Sequence, residues 1–304
     1  MATRHFFKRH QGRGSYDLFS SYSHYLPGFG GIVMLLILFM LGALLGNLVS
    51  IGLGYIFGNG FIENYEMLIS YPIMFIPPLL YASVQSRLNE YSTIGSPLDR
   101  GGFGSKGWFM LIFIGIFSTI AAAYITEPVT MLLPDMPLWL EETMKKMLEN
   151  TPVWVTLISV SVFAPLFEEW LCRGIVLRGL LKTMRPFSAI AVSAAFFAIL
   201  HMNPWQAIPA FLLGILFGYA YYKTGSLKLT MLMHCVNNTC AVILSRIPEF
   251  KDAETFMDIL SPWAYWSIFA ASLLIVVCSI VILNSIGRKH NPQPDPEYPA
   301  YPHQ

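Results

Sequence analysis

Eight apolar stretches separated by polar segments constrain the fold of this chain more than any other feature. Each has close to the about 20 mostly apolar residues that a helix needs to cross a bilayer. Charged residues make up 12 % of the 304-residue chain, against roughly 25 % in soluble domains. The sequence therefore predicts an all-α fold, a polytopic transmembrane helical bundle of about eight helices. The stretches are 31–57, 67–86, 107–126, 152–172, 187–203, 205–222, 229–245 and 263–286.

Two of these stretches contain helix breakers. The second holds Pro72, Pro77 and Pro78, which kink a helix but are tolerated where neighbouring helices satisfy the freed carbonyl groups. The fifth and sixth form one uncharged run that is too long for a single span. Because Asn203-Pro204 is a turn signal, we expect two short helices there.

Lysine and arginine placement predicts the orientation. With the N-terminus in the cytoplasm, fifteen of these residues lie on the cytoplasmic side and four on the other, in agreement with the positive-inside rule. We therefore expect a multi-pass protein of the plasma membrane with both termini in the cytoplasm. The four on the other side are Lys145, Lys146, Arg246 and Lys251.

The predicted organisation has five parts. They are a cytoplasmic N-terminal segment (1–30), N-terminal transmembrane helices with an outer amphipathic helix (31–150), candidate catalytic helices (151–246), an outer loop with the last span (247–287), and a disordered proline-rich tail (288–304). The amphipathic helix is expected over 137–150, at the outer interface. The glycine-rich loop 95–106 follows no strand, so it does not indicate phosphate binding. No feature indicates a nucleic-acid partner.

Two adjacent carboxylates end an apolar run. Glu168 and Glu169 follow residues 151–167, which carry no charge. Placing a carboxylate in the hydrocarbon costs roughly 2.5–3.5 kcal/mol. Glu169 and Arg173 are four residues apart on a helix and can pair. Glu168 points about 100° away from Glu169 and has no partner on its own helix, so we expect it to be free to act.

Two histidines lie in apolar helices. His201 follows Phe197 by one turn, and His234 precedes Asn238 by one turn. Taken singly, each feature has an ordinary explanation: a packing ion pair, an interfacial histidine, or a hydrogen bond between helices. Their occurrence together on neighbouring helices is what those explanations account for poorly.

The same side chains suit one kind of chemistry. A carboxylate in a low-dielectric cavity can act as a general base toward water, and a neutral imidazole can hold that water. Histidine and asparagine donors can stabilise an oxyanion. These groups suit peptide hydrolysis without a covalent intermediate. Glu168, His201 and His234 are also a ligand set that zinc accepts. The sequence is therefore compatible with a zinc site as well as with a metal-free mechanism.

Three motifs resemble the CPBP family of intramembrane proteases, which includes the CAAX-prenyl endopeptidases and the Abi-type bacteriocin-immunity proteins. The family pattern EExxxR, FxxxH and HxxxN corresponds to EEWLCR (168–173), FAILH (197–201) and HCVNN (234–238). The resemblance covers about 150–245. The family is called metalloprotease by convention, and a glutamate mechanism without metal is also argued for its members.

The resemblance implies a role for each motif residue. Glu168 would be the general base, His201 would hold the nucleophilic water, and His234 with Asn238 would form the oxyanion site. Structural support would come from Glu169, Arg173 and Phe197.

The leading hypothesis is a membrane-embedded endopeptidase whose cavity opens to the cytoplasm and whose substrate is a membrane-associated peptide or prenylated protein. The alternatives are a non-catalytic immunity or scaffolding protein of the same fold, and a proton-coupled transporter. The sequence has no HExxH, GxGD or GxSG motif of other intramembrane proteases.

One expectation conflicts with the predicted spans. A fourth helix over 152–172 puts Glu168 near the cytoplasmic face, whereas His201 would lie roughly 20 Å deep. We therefore expect this helix to start later and to continue through Arg178 or Lys182, with the basic side chains snorkelling or paired.

Overall fold

A computed structural model describes residues 19–93, 95–99, 105–147, 151–251, 253 and 255–289. The predictions for 1–18, for most of the glycine-rich loop and for the tail from 290 lie outside these residues. The described chain is a helical bundle and contains no strand. Its helices are α1 (Phe29–Phe57), α2 (Asn59–Asn89), α3 (Ser105–Thr130), α4 (Leu138–Lys145), α5 (Val153–Leu180), α6 (Pro186–Leu200), α7 (Pro204–Thr224), α8 (Leu227–Leu244), α9 (Pro248–Lys251) and α10 (Pro262–Lys289).

Eight of these helices coincide with the eight predicted stretches, which confirms the predicted fold class. Within the described residues, α1, α2, α3, α5, α8 and α10 are long and apolar enough to cross a membrane. The remaining two of the eight helices, α6 and α7, have 15 and 21 residues. They are separated as predicted, because Asn203 caps α7 by accepting the Gln206 N–H at 2.9 Å and Pro204 follows at the first helical position.

Helix α5 is the central helix of the bundle. Of its most apolar window 61 % is buried, against 17–33 % for the other five candidate spans. It is wound as a π-helix over Leu157–Phe163 and again over Trp170–Leu177, on either side of the α-helical turn Ala164–Glu169. Such π segments are rare and occur frequently at functional sites. The two adjacent glutamates lie on the intervening turn.

The extent of α5 resolves the conflict over depth. The predicted later start is wrong, since the helix begins at Val153, but its predicted continuation through Arg178 is confirmed. Glu168 lies 12 residues, about 18 Å, from the end at Leu180, and His201 lies 15 residues, about 22 Å, from the start of α6. A short turn joins these two helix ends, so the two side chains lie within about one helical turn of the same depth.

Contacts between loops define the two ends of the bundle. At the end that we call the N-terminal end, the Arg178 guanidinium donates to the backbone carbonyls of Tyr22, Ser23, Tyr25 and Ser96. At the other end, which we call the far end, Lys146 pairs with Glu63 at 3.6 Å and Arg246 donates to the Thr151 carbonyl at 2.8 Å. Eight helices that run in alternating directions would bring these same elements together at each end.

Helices α1 and α2 approach each other closely through glycine. A Cβ atom at Gly42 would overlap the backbone of Met74, and one at Gly46 would lie 3.1 Å from the Ser70 carbonyl oxygen. Small residues four apart allow such close contact between membrane helices. The contact holds the stretch of α2 that carries Tyr71.

Candidate active site

One cavity of about 840 Å³ collects the side chains that the motifs single out. It lies among α2, α5, α6, α7 and α8. Its lining includes Glu168, His201, His234, Asn238 and Phe197. Residues from three separate motifs therefore face one space inside the bundle.

Glu169 and Arg173 form a fully buried ion pair beside this cavity. The Arg173 Nη1 to Glu169 Oε1 distance is 2.7 Å, and both side chains are 0 % exposed. Arg173 also donates to the Gly214 carbonyl at 3.0 Å, and its guanidinium lies 4.6 Å from the centre of the Phe197 ring. The pairing predicted from the four-residue spacing is confirmed.

Glu168 has partners from other helices. The Tyr71 hydroxyl of α2 donates to Glu168 Oε1, and Glu168 Oε2 lies 3.8 Å from His234 Nε2. The expectation that Glu168 is unpaired was wrong, because both partners are distant in sequence. Tyr71 is a cavity residue in contact with Glu168 that sequence reasoning missed. It belongs to no motif and nothing distinguishes it from the other fourteen tyrosines of the chain.

Neighbouring groups determine which imidazole nitrogens carry hydrogen. The Glu169 carboxylate, paired with Arg173, can only accept, so His234 Nδ1 donates to it at 3.1 Å. A neutral His234 then has an unprotonated Nε2, which faces Glu168. His201 Nδ1 likewise donates to the Phe197 carbonyl at 3.0 Å, which leaves its Nε2 as an acceptor. The Phe197 ring lies edge-on to both imidazoles.

Asn238 supports the π-wound part of α5. Within that segment the Ala164 N–H donates to the Ser159 carbonyl, five residues back. The corresponding donor for Val160 would be residue 165, which is a proline and has no N–H. Asn238 Nδ2 supplies the missing hydrogen bond, to the Val160 carbonyl at 2.8 Å. This hydrogen bond uses one of the two amide hydrogens of Asn238.

The central segment of the chain is similar to a known protein family. Residues 150–240 match the family model described as type II CAAX prenyl endopeptidase Rce1-like. The match confirms the resemblance to the CPBP family. It covers a little under a third of the chain, lies almost entirely within the predicted catalytic helices 151–246, and includes every residue of the three motifs. Neither the curated proteins nor the solved structures gave a significant match.

CAAX proteases of this kind are membrane endopeptidases, and the family match together with the six apolar helices supports an integral membrane protein of that class. The zinc ligand set does not fit the observed geometry. In the described part of the chain no three histidine, cysteine, aspartate or glutamate side chains converge as metal ligands. In place of that convergence, Glu168 Oε1 accepts the Tyr71 hydroxyl, and His234 donates to Glu169 with its Nε2 3.8 Å from Glu168 Oε2.

The cavity opens at the far end of the bundle. Its lining on α2 runs from Glu63 to Met74, the stretch nearer the far end, and it also includes Lys146 and Trp205. Glu168 lies at its inner limit on α5. The structure places this opening and the start of α1 at opposite ends of the bundle, so the predicted cytoplasmic opening does not agree with a cytoplasmic start of α1.

Proposed function

We propose that this protein is a membrane-embedded endopeptidase of the CPBP type in which Glu168 activates a water molecule for attack on a peptide bond. The observation that supports this proposal most is the pairing of two acceptors at the inner limit of the cavity. The Glu168 side chain is 8 % exposed and the His234 side chain 5 %, with their facing atoms 3.8 Å apart. A gap of 3.8 Å has no room for a water between these atoms, so the proposed water lies beside them on the cavity side and donates one hydrogen to each.

The reaction follows from that arrangement. Glu168 takes one proton from the water while the water oxygen attacks the carbonyl carbon of the substrate, which gives a tetrahedral intermediate. The C–N bond then breaks, and Glu168 returns the proton to the leaving amine. A positioned general base contributes typically about 10²–10⁴ in rate. No covalent bond to the protein forms at any stage.

The remaining cavity residues have supporting roles in this proposal. The water uses its two hydrogens on Glu168 and His234, so His201 holds it through the water oxygen, by donating from Nε2 when that nitrogen also carries a proton. The second amide hydrogen of Asn238 donates to the oxyanion. His234 can donate to the oxyanion only when it carries both protons, because the neutral form uses its single hydrogen on Glu169. Glu169, Arg173 and Phe197 are positioning residues: they orient His234 rather than touch the substrate.

The experiment that tests the proposal compares wild type with Glu168→Gln. Each protein is expressed in cells, and newly formed peptide N-termini in the isolated membranes are measured by mass spectrometry. We expect cleavage products that depend on the wild-type carboxylate. If wild type yields no such products but is recovered in complex with a membrane peptide, the protein is the non-catalytic immunity or scaffolding alternative.

Replacement of Tyr71 by phenylalanine is expected to lower kcat about 10- to 100-fold with KM nearly unchanged. The change removes one hydrogen bond to the catalytic carboxylate, and hydrogen bonds to charged groups contribute about 1.5–3 kcal/mol. Steady-state kinetics with a substrate found in the N-terminus screen measure the effect. Tyr65→Phe, on the same helix but without contact to Glu168, is the control. An equal loss in both variants would contradict a specific role for Tyr71.

Replacement of Asn238 by alanine is expected to lower the rate about 10²–10³-fold, the usual cost of losing an oxyanion donor. It should also reduce stability, by at most about 1–3 kcal/mol, since the partly buried Val160 carbonyl loses its donor. The double variant Pro165→Ala/Asn238→Ala restores an N–H at position 165. We expect it to recover thermal stability without recovering activity. Full recovery of both would show that Asn238 acts only on the helix.

A further inference from the structure

We infer that helix α4 is a movable lid over the mouth of the cavity, and that the Glu63–Lys146 ion pair holds this lid closed. The mouth is the end of the cavity that Glu63, Asn64 and Lys146 line. The inference rests on the proposed function, because it concerns how the proposed endopeptidase site opens and closes. Lids of this kind enclose a substrate after it has entered an active site.

The apolar face of α4 covers the mouth. Leu140, Met144 and Met147 follow one another at spacings of four and three residues, which places them on one face of a helix. Leu140 is 8 % exposed, and Met144 and Met147 line the cavity. Away from this face, Glu141 and Lys145 pair with each other at 2.7 Å. Part of the cavity wall at the mouth is therefore a short amphipathic helix.

This helix packs lightly on the rest of the bundle. Leu140 is the one buried residue of Leu138–Lys145. By contrast, every residue of α5 from Trp170 to Leu180, on the other side of Glu168, is buried. Segments with few buried side chains open at a low cost in free energy. Helix α4 can therefore move without disruption of the core.

Polar contacts hold the lid near its two ends and across the mouth. Trp205 Nε1 of α7 donates to the Pro134 carbonyl at 2.8 Å, in the segment that precedes α4. The Thr151 hydroxyl, just before α5, donates to the Lys146 carbonyl at 3.4 Å. Lys146 Nζ lies 3.6 Å from Glu63 Oε1 of α2. The first two contacts lie where the lid can hinge, and the ion pair joins the lid to the facing helix and acts as the latch.

The exposure of these side chains allows an open state. Glu63 and Lys146 are 60 % and 57 % exposed. Ion pairs between exposed side chains are weak and are screened by salt. Leu138 and Trp139, at the start of α4, are 74 % and 68 % exposed, and tryptophan favours the membrane–water interface. When the latch breaks, α4 can leave the mouth and remain at the membrane surface.

The labelling rate of a cysteine inside the cavity tests the lid. The parent protein carries Asn237→Cys, which lines the cavity on α8, with the four native cysteines changed to alanine. The probe is fluorescein maleimide, applied to the full-length protein in detergent. Lys146→Glu replaces attraction to Glu63 with repulsion, so we expect it to raise the labelling rate about three- to tenfold. The charge swap Glu63→Lys/Lys146→Glu should restore the parent rate.

Lys145→Glu is the matched control. It makes the same change of charge one residue away, but it breaks the pair with Glu141 on the outer side of α4, so it should label at the parent rate. A Lys146→Glu rate equal to that of the parent, or an equal increase in Lys145→Glu, would overturn the inference. A charge swap that labels as fast as Lys146→Glu would overturn it as well.

Salt provides a second measurement on the same proteins. A high salt concentration screens the attraction in the parent and the repulsion in Lys146→Glu. We therefore expect salt to raise the parent rate and to lower the Lys146→Glu rate, and a shift in the same direction in both proteins would contradict the latch. None of these rates depends on hydrolysis, which the comparison of wild type with Glu168→Gln measures. Failure of the lid and failure of the proposed function are therefore distinguishable.

Discussion

Glu168→Gln is expected to reduce peptide hydrolysis by at least about a hundredfold, toward the background rate, while the bundle stays folded. Glutamine keeps the size of glutamate, and its amide oxygen still accepts the Tyr71 hydroxyl. It cannot take a proton from water, and a general base contributes typically about 10²–10⁴ in rate. Product formation in reconstituted membranes and the thermal unfolding temperature are the two measurements.

Glu66→Gln is the matched control, because Glu66 lines the same cavity near its mouth and has no contact with His234 in the described structure. It should hydrolyse substrate at close to the wild-type rate. Comparable activity in Glu168→Gln and wild type would exclude Glu168 as the base, and the immunity or scaffolding alternative would then explain the motifs better.

Arg173→Ala is expected to reduce stability by about 3–5 kcal/mol and to abolish activity. The substitution leaves the Glu169 carboxylate, 0 % exposed, without its counter-charge, and removal of one partner from a buried ion pair has a cost of this size. It also removes the hydrogen bond to Gly214 and the contact with the Phe197 ring. Folded yield in detergent and thermal unfolding measure the stability.

A second variant separates stability from catalysis. Glu169→Gln/Arg173→Met removes both charges, and loss of a complete buried pair is often nearly neutral. We expect it to fold better than Arg173→Ala and still to be inactive, since His234 Nδ1 loses its ionised partner. Arg246→Ala at the far end is the control for loss of an arginine. An Arg173→Ala protein that is fully stable and active would contradict the bracing role.

The two adjacent glutamates show how one helical turn can serve two purposes. Successive side chains on a helix point about 100° apart. Glu169 therefore faces Arg173 and His234 inside the bundle, while Glu168 faces Tyr71 and the cavity. Glu169 is in contact with Arg173 and His234. Glu168 lies 3.8 Å from the Nε2 atom of His234, a position that suits the general base we propose.

Hydropathy predicted the bounds of most helices, but it missed the parts of helices that extend beyond the apolar layer. Helix α2 begins at Asn59, eight residues before the predicted start at 67. The additional turns are polar, and Glu63 in them pairs with Lys146 near the end of α4. Hydropathy detects only the part of a helix that contacts hydrocarbon, so it cannot show this extension. The predicted amphipathic helix over 137–150 is present as Leu138–Lys145, and residues 148–150 lie outside the described chain.

Apolar length and four-residue spacing act within single helices, so the eight helices and the Glu169–Arg173 pair could be predicted from the sequence. It also pointed to the histidines and Asn238, through motifs each carried on one helix. The contacts of those residues depend on how the helices pack against one another. Tyr71 reaches Glu168 across 97 positions, and Asn238 reaches Val160 across 78. The direction of the cavity has the same origin: it depends on which halves of α2, α5 and α8 pack tightly and which stay apart, and no local pattern records how separate helices pack.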